Sequence, residues 1–381
     1  MLNLGGLDHL ASALGVSWEF LHLVLEDFVE APARLVEELT LWPANQSKKP
    51  RDVICIRKPW RLIQERIYTK LLLPRFKPLP CCHGGVRRRS PATNAKMHVG
   101  NTFAFVGDIS NFFPSIHCDH VNDYFLELAC SYDVARALTR LCTHNHHLAL
   151  GLITSPIIAN QLLRPVDRDI ARFCNKLGLV YSRFVDDIAI SGKFNLSKCR
   201  VKEAIERTFS RHGLKLCRSK SEYGRLDASS DLNDDGSLAP PLSITGVRIK
   251  GNRLDASSKF IRELDRILSD HQSLANDGPF EGPLYVQGEV FGKVYYACSL
   301  NRGRRRGLLA RMAAIDWPLA LDNAMNRGLV RFTKRLTPRG GPRPDCTQEL
   351  NLAKGMRYFR EYYETHEYDP STAPFEVTEQ C

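Results

Sequence analysis

The chain has 381 residues, of which 43% are hydrophobic, so it can bury cores for two or three subdomains of ordinary size. Lysine and arginine outnumber aspartate and glutamate by 53 to 42, and the resulting net charge of +11 points to a polyanionic partner. The chain lacks both a run of ~18 apolar residues, which a membrane span needs, and the basic flank and apolar run of a signal peptide at its start, so we expect a cytoplasmic protein with no membrane partner.

The first hundred residues are predicted to form a helical segment followed by a mixed one. Apolar side chains at helix-like spacing predict an N-terminal helical segment over residues 1–44, continuing as far as Trp42. Residues 45–100 mix basic and apolar stretches, and a helix is predicted to begin near Pro59, since proline suits the first helical turn. Residues 74–93 contain proline, glycine and three consecutive arginines, which predicts a loop.

The rest of the chain is predicted to change from a mixed to a helical architecture. Residues 101–250 alternate strand-like and helix-like segments, as an α+β domain would, and the Asp-, Ser-, Gly- and Pro-rich stretch 226–243 predicts an exposed loop. Residues 257–272 carry apolar side chains along one face, which predicts an amphipathic helix within a helical, basic region at 251–365. Residues 366–381 are predicted to be a loosely ordered tail.

Three carboxylates form the most informative pattern in the chain. In the segment Val180–Ile190, two β-prone runs flank Asp186 and Asp187, which predicts a β-hairpin with both acids at its tip. The segment Phe103–Ile109 predicts a strand that ends in a third acid, Asp108. Carboxylates on neighbouring strands can hold two magnesium ions for phosphoryl transfer, whereas an Asp-Asp pair by itself is commonly an ordinary turn.

The segments around these acids resemble motifs of reverse transcriptases. Phe184–Asp187 resembles the aromatic-x-Asp-Asp motif, and Phe105–Ile116 resembles the first catalytic motif of the bacterial enzymes. Gly151–Asn160 resembles the palm motif that lies between them. The three motifs follow the order and spacing of the family, and the resemblance covers residues 45–250.

Two shorter segments narrow the resemblance to one group. Asn94–His98 matches the Asn-Ala-x-x-His signature of retron reverse transcriptases, and Ile244–Gly246 resembles their Val-Thr-Gly signature with isoleucine for valine. The chain is therefore identified, by resemblance, as a member of the bacterial retron-type reverse transcriptases.

This resemblance implies an α+β right-hand polymerase fold. Fingers would occupy residues 45–100, a palm of antiparallel sheet plus helices would occupy 101–250 with part of the fingers, and a helical basic thumb would occupy 251–365. The implied activity is an RNA-directed DNA polymerase that uses dNTPs to copy a dedicated structured non-coding RNA. Priming from the 2′-hydroxyl of an internal guanosine would give a branched, RNA-linked single-stranded DNA (msDNA).

Retrons use such DNA in anti-phage defence with a separate effector protein, and host RNase H is expected to trim the template. Two alternatives stay open. The chain could be another defence-associated bacterial reverse transcriptase with different priming, or a non-catalytic RNA-binding scaffold for an effector.

The resemblance also implies the roles of the catalytic residues. Asp108, Asp186 and Asp187, with the carbonyl of Ile109, would bind two Mg²⁺ ions, for which Mn²⁺ can substitute. Lys220 would protonate the departing pyrophosphate, although Lys215 and Arg218 lie close to it in the sequence.

A second set of residues is implied to bind the nucleotide and template. Phe113 would exclude a ribose 2′-hydroxyl, although either Phe112 or Phe113 must belong to the core. The chain departs from the family at two positions, with Leu150 just before Gly151 in place of the usual glutamine and Val185 just before Asp186 in place of the alanine common in retrons. The implied nucleotide-site residues are Lys49, Arg51, Phe113, Gly151, Thr154, Ser155, Pro156 and Asn160.

Clustered arginines predict nucleic-acid contacts, with general solubility as the alternative. For Asn94 and His98, a hydrogen-bonded structural pair is the alternative to a role in handling RNA. The candidate contacts are Arg87, Arg88, Arg89, Asn94, His98, Arg302, Arg304, Arg305, Arg306 and Arg311. A third basic region contains Lys334, Arg335, Arg339 and Arg343.

The twelve cysteines have no regular spacing, which is typical of reduced thiols in a cytosolic protein. Cys81–His83 and His144–His147 contain ligand-type side chains without a Cys-x-x-Cys pair, so zinc is not predicted there.

Overall fold

A computed structural model describes residues 1–42, 49–226, 241–280, 284–285, 287–327 and 336–339. Within these residues the chain forms helices and antiparallel sheets, as expected for the α+β class. None of the helices described is both long enough and apolar enough to cross a membrane.

The N-terminal part consists of helices and the first two strands. Its elements are α1 (Leu7–Leu14), α2 (Trp18–Glu30), β1 (Val36–Leu41), β2 (Arg51–Ile56), α3 (Lys58–Arg66) and α4 (Pro91–Lys96). Ser17 and Ser90 cap α2 and α4 with their side chains, and α3 begins next to Pro59 as predicted. The loop predicted at 74–93 lies mostly between α3 and α4.

The prediction of a continuous helical segment is wrong after α2. Val36–Leu41 is a strand that pairs antiparallel with β2, from Val36 opposite Ile56 to Leu41 opposite Arg51. Leu35, Leu39 and Trp42 have helix-like spacing, but the backbone groups of β1 pair with those of a strand that begins ten residues after β1 ends. Local periodicity does not register such a partner.

The middle of the chain builds a four-stranded antiparallel sheet with helices around it. Its elements are β3 (Phe103–Asp108), α5 (Cys118–Glu127), α6 (Tyr132–Cys142), α7 (Ser155–Leu162), α8 (Arg164–Lys176), β4 (Val180–Phe184), β5 (Asp187–Gly192), α9 (Val201–Arg211) and β6 (Glu222–Arg225). The strand order is β4-β5-β3-β6. The predicted hairpin is confirmed as β4 and β5, and the strand predicted to end at Asp108 is confirmed as β3.

The main core fills the space between this sheet and the helices. Its largest fully buried side chains include Trp60, Phe105, Phe125 and Phe209. The Trp60 indole donates to the Leu141 carbonyl at 2.8 Å, which ties α3 to α6. Burial of these large apolar side chains stabilises the position of the strands against the helices. The residues at the strand ends are therefore held in place as well.

The C-terminal part is mainly helical. Its elements are β7 (Val247–Lys250), β8 (Arg253–Ala256), α10 (Ser258–Ala275), α11 (Gln287–Leu300), α12 (Arg305–Ala313), α13 (Trp317–Asn326) and β9 (Leu336–Pro338). The amphipathic helix predicted at 257–272 is confirmed as α10, which packs with α11, α12 and α13 around a second core.

The C-terminal region departs from the predicted helical architecture at the strand β9. Leu336–Pro338 is a strand rather than a helix, because it pairs antiparallel with β1 at the edge of the N-terminal sheet. The predicted tail at 366–381, Lys334, Arg335, Arg343 and most of the loop predicted at 226–243 lie outside the described residues.

Candidate active site

The fold brings the three predicted carboxylates together at one edge of the four-stranded sheet. Asp108 ends β3 and lies directly opposite Asp187, the first residue of β5. Asp186 lies in the two-residue turn between β4 and β5, and its carbonyl accepts from the Ile109 backbone N–H at 2.9 Å. One carboxylate oxygen from each acid lies within 4.8 Å of the others.

The electrostatics of this cluster favour a cation. Burial, followed by repulsion from Asp186 and Asp108, raises the pKa of Asp187 to about 6. Burial and the Asp108 charge also raise the pKa of Asp186. Lys220 places its Nζ 2.6 Å from Asp108 Oδ2, and this hydrogen bond raises the lysine pKa. One ammonium against three carboxylates leaves an excess of oxygen ligands, the donor set that a divalent metal ion such as Mg²⁺ prefers.

The acids line a cleft of about 720 Å³. Phe113 and Arg51 are in its wall, whereas Phe112 is only 5% exposed and packs in the main core. Both phenylalanines border the cleft, and Phe113 is the less buried of the two; its sugar-excluding role stays a prediction. Lys49 is exposed and is not among the residues lining this cleft.

The predicted nucleotide-site motif supports the cleft from behind and does not line it. Ser155 hydroxyl bonds to the Ala149 carbonyl at 2.9 Å, and Asn160 Nδ2 donates to the Gly84 carbonyl at 2.9 Å. Gly151 has a φ of 113°, and a Cβ there would lie 2.0 Å from the Ile54 carbonyl oxygen.

Like these three, Thr154 and Pro156 are absent from the cleft wall, and Thr154 is fully buried. None of the five residues lines this cleft in the described structure, so their predicted contact with the nucleotide or template stays a prediction. Leu150, just before the motif glycine, does line the cleft.

His98 and Asn94 are buried, which favours the structural alternative over direct contact with nucleic acid. The two ring nitrogens of His98 each lie 2.7 Å from a serine hydroxyl, Ser182 on β4 and Ser191 on β5. Burial lowers the pKa of His98 to about 3, which keeps the ring neutral. The Asn94 amide reaches the Thr245 hydroxyl at 3.5 Å, so the two retron-like signature segments are in contact.

The predicted arginine contacts separate into two groups. Arg304 forms two hydrogen bonds with Asp255, at 3.0 and 2.8 Å, and Arg311 pairs with Asp265. Arg89 donates to the Leu79 carbonyl at 2.7 Å. These three guanidiniums are already engaged within the protein, which argues against their assignment as nucleic-acid contacts. The remaining members of the predicted set are exposed: Arg87, Arg88, Arg302, Arg305 and Arg306.

Sequence reasoning missed a second charged group at the cleft. Arg339, next to β9, places Nη1 2.6 Å from Glu38 Oε2, and His144 Nε2 lies 2.7 Å from Glu38 Oε1. Hydrogen bonds from Arg339 and then His144 lower the pKa of Glu38 to about 2. All three residues line the cleft. The only sequence signal was the basic cluster around Arg339, which does not indicate a partner 301 positions away.

Comparison with known proteins agrees with this site. Residues 47–249 match the family model described as reverse transcriptase (RNA-dependent DNA polymerase). This is more than half of the chain, and the chain belongs to that family.

Its relatives include retron enzymes. The chain is 31% identical to the Retron Ec48 reverse transcriptase of Escherichia coli over 259 residues, which is 64% of this chain and 59% of that protein. It is 27% identical to the Retron Se72 reverse transcriptase of Salmonella heidelberg, over 64% of this chain and 62% of the relative. For the Retron Mx65 reverse transcriptase of Myxococcus xanthus the identity is 26%, over 57% and 55%. The retron-type resemblance is thus confirmed, and each match spans less than two thirds of the relative's length.

Proposed function

We propose that this chain is the RNA-directed DNA polymerase of a bacterial retron. The observation that carries the proposal is the convergence of Asp108, Asp186 and Asp187 at adjacent strand ends, in the wall of a cleft, within a chain of the reverse transcriptase family. Fingers at 45–100, a palm at 101–250 and a thumb at 251–365 would give the right-hand arrangement.

The three acids and the Ile109 carbonyl would hold two Mg²⁺ ions, with Mn²⁺ as a substitute. Bound there, the ions would lower the pKa of the attacking hydroxyl and neutralise charge on the phosphates. Lys220 stays protonated because of its contact with Asp108, as a donor of a proton to the departing pyrophosphate must.

The walls of the cleft would select and hold the nucleotide. Phe113 would pack under the sugar and exclude a ribose 2′-hydroxyl, which favours dNTPs. Arg51 would contact the triphosphate with its planar guanidinium, and exposed Lys49 would add charge at the entrance.

The retron-specific part of the proposal rests on the relatives and on the two signature segments that touch through Asn94 and Thr245. The template would be a structured non-coding RNA, and an internal guanosine 2′-hydroxyl would prime a branched msDNA. A separate effector, host RNase H, a cytoplasmic location and a role in anti-phage defence complete the proposal.

The direct test is extension of a primed RNA template with dNTPs in the presence and absence of Mg²⁺. We expect incorporation by the wild-type chain and none by Asp186→Ala/Asp187→Ala, because the ligand set is destroyed. Asp123→Ala/Asp133→Ala removes two exposed acids from α5 and α6 and is the matched control.

Normal polymerisation by Asp186→Ala/Asp187→Ala would contradict the proposal that these two acids belong to the active site. Tight RNA binding without any incorporation by the wild-type chain would instead support a non-catalytic scaffold.

A further inference from the structure

A buried arginine lies directly behind the turn that carries Asp186. Arg183 is the penultimate residue of β4, its side chain is 1% exposed, and its partner Asp167 on α8 is 0% exposed. Arg183 donates from Nε to Asp167 Oδ1 at 2.8 Å and from Nη2 to Oδ2 at 2.7 Å. Tyr181 Oη donates to the same Oδ1 at 2.8 Å. Both carboxylate oxygens are therefore satisfied, as burial of a charged group requires.

The third nitrogen of this guanidinium reaches the catalytic turn. Arg183 Nη1 donates to the Val185 carbonyl at 2.8 Å. Val185 and Asp186 are the two turn residues, so this bond acts on the peptide unit that joins Val185 to the metal-binding acid. The arginine thus links α8 to the turn through one rigid fork.

The turn requires such support because its backbone is unfavourable. Val185 has a φ of 59°, a left-handed conformation that is rare for a β-branched residue. Gly84 packs so closely on the turn that a Cβ there would lie 2.2 Å from the Val185 nitrogen. The Arg183 backbone is also bonded on both sides, to the Cys81 carbonyl and from the His83 N–H, each at 2.7 Å.

Stability alone does not account for a charged pair at this place. An apolar pair of similar volume in a core is commonly as stable as a buried ion pair, or more stable. What an apolar pair cannot supply is a directional hydrogen bond to the Val185 carbonyl.

We infer that Arg183, held by Asp167, is a positioning residue that fixes the direction in which the turn presents Asp186 and Asp187 to metal ions. The inference deepens the proposed polymerase function and rests on it for its kinetic part. Metal binding by the acids is a separate consequence that is measured without catalysis.

The main test is the double variant Arg183→Met/Asp167→Leu, which removes both buried charges and keeps the volume filled. We expect a folded protein whose Tm is close to that of the wild type, because the apolar pair offsets the lost ion pair while the buried Tyr181 hydroxyl loses its acceptor. Its kcat for dNTP incorporation should fall by about tenfold or more with a KM change below about threefold, as expected when transition-state geometry and not nucleotide binding is lost. Mn²⁺ affinity, titrated by electron paramagnetic resonance in the absence of nucleotide, should fall at least about fivefold.

Two single variants separate positioning from general network stability. Tyr181→Phe removes one hydrogen bond to Asp167 and none to the turn, so its kcat and Mn²⁺ affinity should stay within about twofold of wild type. Arg183→Lys keeps the charge but loses the fork, so it should retain Mn²⁺ affinity between those of the wild type and the double variant.

A folded double variant with wild-type kcat and Mn²⁺ affinity would overturn the inference, as would an equal loss in Tyr181→Phe. If Arg183→Met/Asp167→Leu does not fold, the Arg183→Lys variant becomes the test. Wild-type Mn²⁺ affinity and wild-type kcat in Arg183→Lys would then overturn the inference. If the wild-type chain does not polymerise at all, the proposed function fails, while the Mn²⁺ titrations still decide whether Arg183 positions the acids.

Discussion

Phe112 and Phe113 are adjacent in the chain, but we expect them to have different roles. Phe112 should contribute mainly to protein stability, and Phe113 to the selection of the nucleotide sugar. Phe112 packs in the main core and is 5% exposed, whereas Phe113 is half-buried; both border the cleft beside the acids. The sequence alone limits the choice to these two residues. Phe113, the more exposed of the two, is the residue to which we give the proposed sugar-excluding role.

The pair yields a matched prediction. Phe113→Ala should raise the incorporation of rNTPs relative to dNTPs by about tenfold or more, because the wall under the sugar is lost. Phe112→Ala should instead lower the free energy of unfolding by about 3–5 kcal/mol with little change in sugar selection. Single-nucleotide incorporation assays and denaturant unfolding measure the two effects. Unchanged sugar selection in Phe113→Ala would contradict the assignment.

At the scale of elements, the β4–β5 hairpin is tied together from behind by His98. Its ring bridges one serine on each strand, and the neutral ring suits this buried position. The hairpin is thereby joined to the retron-like signature Asn94–His98, which covers the last turn of α4 and the two residues after it. The signature therefore supports the catalytic acids indirectly, through the strands.

This bridge predicts a pH dependence of stability. The pKa of His98 falls from its ordinary 6.5 to about 3 in the folded chain, so below pH 6.5 the unfolded state binds a proton that the folded state does not. Stability contributed by the neutral ring is therefore complete above pH 6.5 and is lost as pH falls towards 3, by about 1.4 kcal/mol per pH unit at most.

Urea unfolding at pH 7.5 and pH 5 should show a larger loss for wild type than for His98→Asn, which cannot titrate. His83, whose pKa burial lowers to about 4, remains in both proteins and contributes equally. Equal losses in the two proteins would contradict the role given to His98.

At the scale of the whole molecule, basic side chains divide between folding and binding. Arg304 holds the buried Asp255, whereas Arg302 and Arg306 are exposed on the same stretch. If the proposed function holds, a net charge of +11 should make RNA binding strongly dependent on salt.

Substitutions between residues 302 and 306 should distinguish arginines that bind RNA from arginines that stabilise the fold. Arg302→Ala/Arg306→Ala should weaken RNA binding and reduce the slope of log K against log salt by about 1–2, with Tm unchanged. Arg304→Ala should mainly lower stability, by about 1–3 kcal/mol, because Asp255 loses its hydrogen bonds. Filter binding over a salt series and thermal unfolding distinguish these results. If Arg302→Ala/Arg306→Ala keeps the wild-type slope of log K against log salt, these two arginines do not contact the RNA.

Much of the site was predictable because its signals are local. Alternating β-prone residues and a two-residue break define the hairpin, and the amphipathic pattern defines α10. The features that the sequence did not reveal depend on distant partners. β1 pairs with β2 and β9, and Asn160 bonds to Gly84 on a loop far along the chain. Periodicity and motif matching identify which residues matter, but not whether a side chain faces the cleft or supports it.

The most direct measurement is to purify the protein from its native locus and to sequence the bound nucleic acid before and after treatment with debranching enzyme. The proposed function predicts a discrete single-stranded DNA joined to RNA, with a mobility that changes on debranching. Bound RNA without DNA would contradict polymerase activity at this site. Unbranched DNA would contradict the retron assignment while leaving the acids as a polymerase centre.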